Sequence, residues 1–271
     1  MKIGTCADPN AGQILKEAGF DFIEMGVGGA LKPDKPSAEF QAELERIKKS
    51  PLPCLALNCL MPGGMKITGP EVDMQAVRTH LQTVCERAKA ARIPKIVFGS
   101  GGARKCPDSF DAKKAYAQLV EFGKLLGELA GKAGILIAVE PLNKNEDNML
   151  NSISGTCRYV KEVDIPAFRL HADSYHWALE DESEKDFSSA VPFICHAHIA
   201  TYKSRFAPGQ EDCDFSAFMK MLRKGGYDGT LSVEGKWAAY DCGFGVTTTD
   251  PKVSADPSHL RKAVEIIRSY L

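Results

Sequence analysis

Residues 135–140 read ILIAVE, five successive apolar side chains followed by a glutamate. Side chains of a β-strand alternate between its two faces, so an unbroken apolar run predicts a strand that is buried on both. Strands of this kind are typical of parallel sheets covered by helices. The glutamate that ends the run, Glu140, is unusual because a carboxylate is costly to place at the edge of a buried sheet.

Seven further apolar runs occur along the chain, and most are followed by a polar or glycine-rich loop and a segment of helical periodicity. Together they predict eight strands: Lys2–Cys6, Phe20–Met25, Cys54–Asn58, Lys95–Gly99, Ile135–Glu140, Phe168–Asp173, Phe193–Ile199 and Thr230–Glu234. Residues 73–91 and 256–271 each carry one apolar stripe, which predicts a surface helix. Asp256 and Pro257 fit the N-cap and first turn of the second helix. Alternating strands and helices predict a parallel α/β protein.

Loop lengths favour a (β/α)8 TIM barrel that forms a single domain over residues 1–271. Helix-to-strand joints are short, such as Ala18-Gly19 and Ala133-Gly134, whereas strand-to-helix loops extend over residues 59–72 and 235–255. In barrel enzymes the long loops at the C-terminal ends of the strands form the active site. A doubly wound sheet would normally carry a glycine-rich phosphate turn after its first strand, and ADPNAG at residues 7–12 does not match that turn.

Composition limits the classes of partner. The formal net charge is −1, from 34 basic and 35 acidic residues, and no run of like charge is long enough to form a tail, so we predict no nucleic-acid partner. The N-terminus lacks a signal-peptide pattern and no apolar stretch is long enough for a bilayer, so we predict no membrane attachment and a cytoplasmic location. Nine scattered cysteines without a CxxC pair indicate reduced thiols rather than a disulfide framework or a cysteine zinc site.

Four consecutive predicted strands end in a side chain that can ligate a metal: Glu140, Asp173, His198 and Glu234. Each carboxylate alone could cap a helix or pair with a basic residue. A barrel, however, brings the four strand ends into one half-ring, where three carboxylates without a cation would repel each other strongly. We therefore predict one divalent metal ion. Three oxygen ligands and one imidazole suit Mn²⁺ or Mg²⁺, and Co²⁺ and Zn²⁺ remain open.

The predicted ion suggests a reaction. An ion that chelates a carbonyl oxygen and the neighbouring hydroxyl would acidify the C–H bond between them and stabilise the enediolate formed on proton removal. Glu140 and Glu234 could supply bases on opposite faces of the substrate, as epimerisation requires, whereas 1,2-isomerisation can use one base.

Four motifs carry a family resemblance: EPLNKNE at 140–146, DSYH at 173–176, HAH at 196–198 and SVE at 232–234. They resemble the motifs of the xylose isomerase-like barrel superfamily, most closely its sugar phosphate isomerase/epimerase and ketose 3-epimerase branch, and the resemblance extends over essentially the whole chain. It implies a divalent-metal-dependent isomerase or epimerase that acts on a ketose or related sugar, phosphorylated or free, through an enediolate. A homo-oligomer is also implied.

The resemblance further assigns residues. It implies that the metal is held by the four strand-end residues, that Glu140 and Glu234 transfer protons, and that Glu146 and His176 contact substrate oxygens. In ketose epimerases an arginine follows the ligand histidine by six positions and precedes a Pro-Gly pair by three. The first count reaches Ser204 and the second reaches Arg205, so one residue is inserted and Arg205 is the predicted substrate contact.

Several alternatives stay open from the sequence. An inosose-type dehydratase would share the proton abstraction, and a sugar-binding barrel without turnover would share the fold; a DNA-repair endonuclease would want more metal ligands and a basic rim. The loop GSGGAR at 99–104 could cradle a phosphate, with Arg104 as counter-charge, or form a tight turn. Glu24 could face the site or pair with a lysine, and His171 could support a ligand or belong to the core.

Overall fold

The computed structural model describes residues 1–180, 182–237 and 258–271. Within these residues, eight parallel strands each pair with the next, and the last pairs with the first, which closes a barrel. The predicted (β/α)8 barrel is confirmed. The strands are β1 (Lys2–Cys6), β2 (Phe22–Gly26), β3 (Cys54–Asn58), β4 (Lys95–Phe98), β5 (Leu136–Val139), β6 (Phe168–Asp173), β7 (Ile194–Ile199) and β8 (Thr230–Val233).

Helices surround the barrel. No helix in the described part of the chain is long and apolar enough to cross a membrane. The predicted pair Asp256 and Pro257 and most of the loop predicted at 235–255 lie outside the described residues. The α-helices are Gly12–Ala18, Val27–Leu31, Ser37–Lys49, Met74–Ala90, Gly101–Arg104, Ala112–Ala133, Ile153–Val163, Ser174–Leu179, Glu184–Ala190, Ser216–Lys224 and Ser258–Ser269, with 3-10 turns at Pro9–Ala11 and Val191–Phe193.

Strand limits differ from the sequence prediction by at most two residues. β2 begins at Phe22 rather than Phe20, because the Phe20 amide donates to the carbonyl of Leu15 and so still belongs to the end of the preceding helix. β5 and β8 stop one residue before Glu140 and Glu234. These two carboxylates therefore follow their strands directly, at the C-terminal rim of the barrel.

The short helix-to-strand joints share one backbone conformation. Gly19 and Gly134 end their helices with φ values of 99° and 74°, in the left-handed region that glycine enters without steric cost. Each reverses the chain within one or two residues and starts the next strand. The N-terminal rim is therefore compact, and the long loops lie at the opposite rim.

Buried polar side chains, rather than the usual branched apolar residues, fill part of the barrel interior. In the register of the last strands His171 pairs with His196, and His196 pairs with Thr230. Glu24, His171, His196 and His198 are each 0% exposed. Polar groups buried this completely require hydrogen-bond or ionic partners.

Candidate metal centre and substrate cavity

The side chains at the C-terminal ends of β5 to β8 converge inside the mouth of the barrel. One ligand atom from each of Glu140, Asp173, His198 and Glu234 lies within 4.8 Å of all the others. Nδ1 of His198 is 3.5 Å from Glu140 Oε1, 3.9 Å from Asp173 Oδ2 and 3.2 Å from Glu234 Oε2. The structure thus brings together all four residues that the sequence analysis selected as ligands.

Unpaired buried atoms in this cluster test whether a cation fits. His198 Nδ1 and Glu140 Oε1 are buried and have no hydrogen-bond partner among the described residues. A buried polar atom left unpaired costs about 1–3 kcal/mol. A cation bound by both atoms would remove that cost, and three carboxylates with one imidazole form a donor set for a divalent ion. The cluster could therefore hold a metal ion.

Two neighbours hold Glu140 in place. A Cβ at residue 99 would lie 2.1 Å from Oε2 of Glu140. Only a glycine at this position therefore leaves room for the carboxylate where it stands. Arg104 is 0% exposed and donates from Nη2 to the Glu140 carbonyl at 2.7 Å. Its Nε donates to Asp147 Oδ2 at 2.7 Å, in a fully buried ion pair. The loop 99–104 supports Glu140, and the suggestion that Arg104 neutralises a phosphate is wrong, because its guanidinium is already enclosed and paired.

Glu24 lies on the other side of His198. Its Oε1 is 3.0 Å from His198 Nε2 and its Oε2 is 2.8 Å from His196 Nε2. Of the two interpretations left open for Glu24, the structure supports a place beside the site, with histidine rather than lysine partners. The ring of His171 packs 4.2 Å from that of His198, and both of its nitrogens lack a hydrogen-bond partner within the described ranges.

His176 lines the cavity at the C-terminal rim and, among the described residues, has a free hydrogen-bond donor at Nε2. Its Nδ1 accepts from the Asn143 amide at 3.1 Å, so the ring proton of the neutral imidazole is on Nε2. Nε2 is buried, 4.0 Å from Asp173 Oδ2, and no described residue accepts its hydrogen bond. Asn143 also donates from Nδ2 to Glu146 Oε1 at 2.8 Å. One asparagine therefore orients both predicted substrate contacts.

Arg205, not Ser204, reaches the cluster. Its Nη2 lies 2.6 Å from Glu234 Oε2 and 3.4 Å from Asp173 Oδ2. Its Nη1 lies 3.7 Å from Glu146 Oε1. Ser204 instead donates its hydroxyl to Glu211, away from the four carboxylate and imidazole ligands. The count back from Pro-Gly therefore selected the arginine that stands at the site.

Burial and neighbouring charges shift the pKa values of the clustered groups in different directions. Burial raises the pKa of Glu140 above its ordinary value, against the opposing effect of His198. Burial also opposes ionisation of Glu234, but the positive charges of His198 and Arg205 outweigh it and lower the pKa of that carboxyl. Burial alone would lower the pKa of His198, and the carboxylates Glu24 and Glu234 reverse this and hold it well above the usual range. Without a metal, protonated His198 and Arg205 supply the positive charge of the cluster.

A cavity of about 590 Å³ opens above the cluster at the C-terminal rim. Glu140, Glu234, Glu146, His176 and Arg205 line it, whereas Asp173 and His198 do not. All three predicted substrate contacts thus face the same space as the two glutamates. Small or uncharged residues, among them Ala7, Gly26, Gly29, Met61 and Ser100, also line the cavity, together with the carboxylates of Asp8 and Glu24.

Asn58 is a site residue that the sequence analysis did not select. Its Nδ2 donates to Glu234 Oε1 at 3.2 Å and lies 3.3 Å from Cys6 Sγ. Asn58 is the last residue of β3, and its position at a strand end is the same signal that identified the four ligands. An amide is a weaker metal ligand than a carboxylate, so the pattern of strand-end metal ligands does not include it.

The chain belongs to the xylose isomerase-like TIM barrel family, whose model matches residues 13–269. It is 30% identical over 119 residues to the 3-dehydro-D-guloside 4-epimerase of Escherichia coli (strain K12), which is 44% of this chain and 45% of that protein. It is 28% identical over 227 residues to the D-psicose 3-epimerase of Agrobacterium fabrum (strain C58 / ATCC 33970), 81% of this chain and 76% of that protein. The matched segments span about half the length of several curated relatives.

The fold also matches a solved structure. The D-psicose 3-epimerase of Clostridium cellulolyticum H10, solved with D-tagatose, superimposes with a TM-score of 0.81 at 17% sequence identity. The superposition covers 100% of this chain and 99% of that chain. At this level of identity the match establishes the shared barrel fold.

Proposed function

We propose that this protein is a divalent-metal-dependent isomerase or epimerase of a ketose or related sugar. Glu140, Asp173, His198 and Glu234 hold the ion, and Glu140 and Glu234 transfer protons. One observation carries the proposal: of the four clustered ligands, the two glutamates line the cavity while Asp173 and His198 do not. The groups that can both ligate and reach a substrate are therefore the two carboxylates.

The topology supports a two-base reaction. Glu140 follows β5 and Glu234 follows β8, so the two carboxylates stand at opposite ends of the half-ring of ligands. A sugar bound between them could lose the proton of the reacting C–H to one glutamate, and the planar enediolate so formed could receive a proton on its opposite face from the other, which inverts the carbon. The sequence relatives include sugar epimerases and a hydroxypyruvate isomerase, which fits an isomerase or epimerase.

A bound divalent ion would polarise the carbonyl and neighbouring hydroxyl oxygens of the sugar and lower the free energy of the enediolate. We propose Mn²⁺ or Mg²⁺ as the bound ion, with Co²⁺ or Zn²⁺ as the alternatives, from the oxygen-rich ligand set. His176 donates from Nε2 to a sugar oxygen, and Glu146 and Arg205 contact other oxygens of the substrate. Asn58 holds Glu234 through Oε1, which keeps the carboxylate in one orientation.

The substrate is a free rather than a phosphorylated sugar in this proposal. Arg205 is the only lysine or arginine among the described residues that line the cavity, and it is already paired with Glu234 and Asp173. Arg104, the other candidate counter-charge, is buried beneath Glu140. A phosphate in the cavity would lack the charged hydrogen bonds that normally offset its desolvation.

Proton exchange by NMR tests the proposal. Metal-reconstituted protein in heavy water is offered free and phosphorylated ketoses, aldoses and inososes, together with Glu234→Gln and the control Glu121→Gln, which makes the same change at an exposed helix position. We expect metal-dependent exchange at a carbon next to a carbonyl in the wild type and the control, and none in Glu234→Gln. The product separates epimerase, isomerase and dehydratase. Absence of exchange across the panel with metal bound would favour a sugar-binding barrel.

Two further expectations belong to this proposal, a cytoplasmic location and a homo-oligomeric assembly. Light scattering coupled to size-exclusion chromatography tests the second. A monomer across the working concentration range would contradict it.

A further inference from the structure

A continuous line of hydrogen bonds crosses the barrel interior below His198. Lys95 Nζ donates to Thr230 Oγ1 at 2.7 Å, and Thr230 Oγ1 lies 2.7 Å from His196 Nδ1. His196 Nε2 is 2.8 Å from one oxygen of Glu24, and the other oxygen of Glu24 is 3.0 Å from His198 Nε2. The line begins at the first residue of β4 and ends at the proposed metal ligand.

The donors along this line assign every proton. The ionised carboxylate of Glu24 can only accept, so His196 carries its ring proton on Nε2 and donates it to Glu24. Nδ1 of the neutral His196 ring is then an acceptor, and the Thr230 hydroxyl, whose oxygen accepts from Lys95, donates to it. The ionised carboxylate of Glu24 accepts from both histidines, so His198 carries its proton on Nε2. In the neutral form of His198 that binds a metal, the lone pair is consequently on Nδ1, the atom that faces Glu140, Asp173 and Glu234.

We propose that Glu24, held by His196, Thr230 and Lys95, is the positioning residue that fixes the tautomer and ring orientation of His198 for metal binding. The inference rests on the metal site of the proposed function. A carboxylate on the far nitrogen of a ligand imidazole orients the ring and increases its basicity, and loss of such a partner typically weakens metal binding about 10- to 100-fold.

A purely structural role explains these residues less well. Glu24, His196 and His198 are each 0% exposed, and apolar residues of similar volume would fill a barrel interior without the cost of desolvating a carboxylate. The polar groups also form a single directed line instead of separate pairs. The line ends at His198, the imidazole among the four proposed ligands, as expected if it orients that ligand.

The variant Glu24→Gln tests the inference through metal binding itself. Glutamine has one acceptor oxygen and one amide donor, so it cannot accept from both histidines, and one of them must change tautomer or lose its bond. We expect metal affinity, measured by chelator competition with Mn²⁺ or Co²⁺, to fall about 10- to 100-fold. The Co²⁺ absorption bands should shift as well. Glu43→Gln is the matched control, because Glu43 is a buried carboxylate paired with Arg46 outside the site; its metal affinity should remain that of the wild type.

A second pair of variants covers the case in which Glu24→Gln does not fold. Thr230→Val removes the hydroxyl that orients His196 and should weaken metal binding severalfold, whereas Thr230→Ser keeps the hydroxyl and should restore it. In the Zn²⁺-loaded wild type, ¹⁵N NMR should find His198 protonated on Nε2. The opposite tautomer, or wild-type affinity in Glu24→Gln, overturns the inference. Two metal equivalents in the wild type and one in Glu24→Gln would instead mean that Glu24 is itself a ligand, which also overturns it.

These outcomes are distinct from failure of the proposed function. A wild-type protein that binds no divalent ion removes the metal site altogether. If the wild type binds one ion and exchanges sugar protons, and Glu24→Gln has the same metal affinity, the proposed function remains. Only the role of Glu24 is then removed.

Discussion

Gly99→Ala should disable the site while leaving the barrel folded. The added Cβ would lie 2.1 Å from Glu140 Oε2 and 3.3 Å from its Cδ. Non-bonded carbon and oxygen atoms normally stay about 3.3 Å apart or more, so the carboxylate oxygen must move by roughly 1.2 Å. A misplacement of about 1 Å in a reacting group can reduce the rate about 100-fold. We therefore expect kcat/KM to fall about 100-fold, equivalent to about 2.7 kcal/mol.

The assay pairs this variant with Gly102→Ala, in the same loop. A Cβ at residue 102 would meet no atom within 4 Å, so this control should keep wild-type turnover. Solvent-proton exchange rates and Mn²⁺ affinity are measured for both, with chemical unfolding to confirm the fold. Because the backbone at residue 99 is not in the left-handed region, alanine there should not destabilise the protein through its φ angle. Wild-type turnover in Gly99→Ala would refute the assigned position of Glu140.

Four further predictions concern charge and hydrogen bonding. Arg104→Met should lower the free energy of unfolding by about 3–5 kcal/mol, because it leaves the buried Asp147 carboxylate unpaired; urea unfolding measures this, and a loss below about 1 kcal/mol would contradict the pairing. Metal affinity should rise about tenfold per pH unit until the pH passes the raised pKa of His198, because the ion displaces the proton of this histidine. Titration calorimetry measures the affinity, and a flat profile between about pH 6 and 8 would count against His198 as a ligand. In the metal-free protein the sign is opposite: the stabilisation by protonated His198 is complete below pH 6.5 and is lost as pH rises through the raised pKa. His176→Phe should raise KM about 3- to 10-fold through loss of one hydrogen bond, and steady-state kinetics with an unchanged KM would remove His176 from the substrate site.

The barrel and its rim residues were predictable because both follow from chain order. In a parallel barrel every strand ends on the same rim, so a ligand-type residue at a strand end must face the others at neighbouring ends. Glu140, Asp173, His198 and Glu234 satisfy this rule, and Asn58 at the end of β3 satisfies it too. The largest shift of a strand limit is at Phe20, which belongs to the end of the preceding helix.

The supports of the site were not predictable in the same way. Glu24 lies 172 and 174 residues from its two histidine partners, and the sequence carries no local pattern that links them. The glycine-rich loop of Arg104 suggested a phosphate counter-charge, but this arginine is paired with Asp147, 43 residues away in the sequence. The need for glycine at residue 99 arises only from the approach of the Glu140 carboxylate in three dimensions.

Anomalous diffraction from crystals of the Mn²⁺-loaded protein tests the central claim most directly. We predict one strong peak bounded by Glu140, Asp173, His198 Nδ1 and Glu234, and none in crystals of Asp173→Ala prepared in the same way. A peak elsewhere, or a peak of full occupancy in Asp173→Ala, would contradict the ligand set on which the proposed isomerase or epimerase depends.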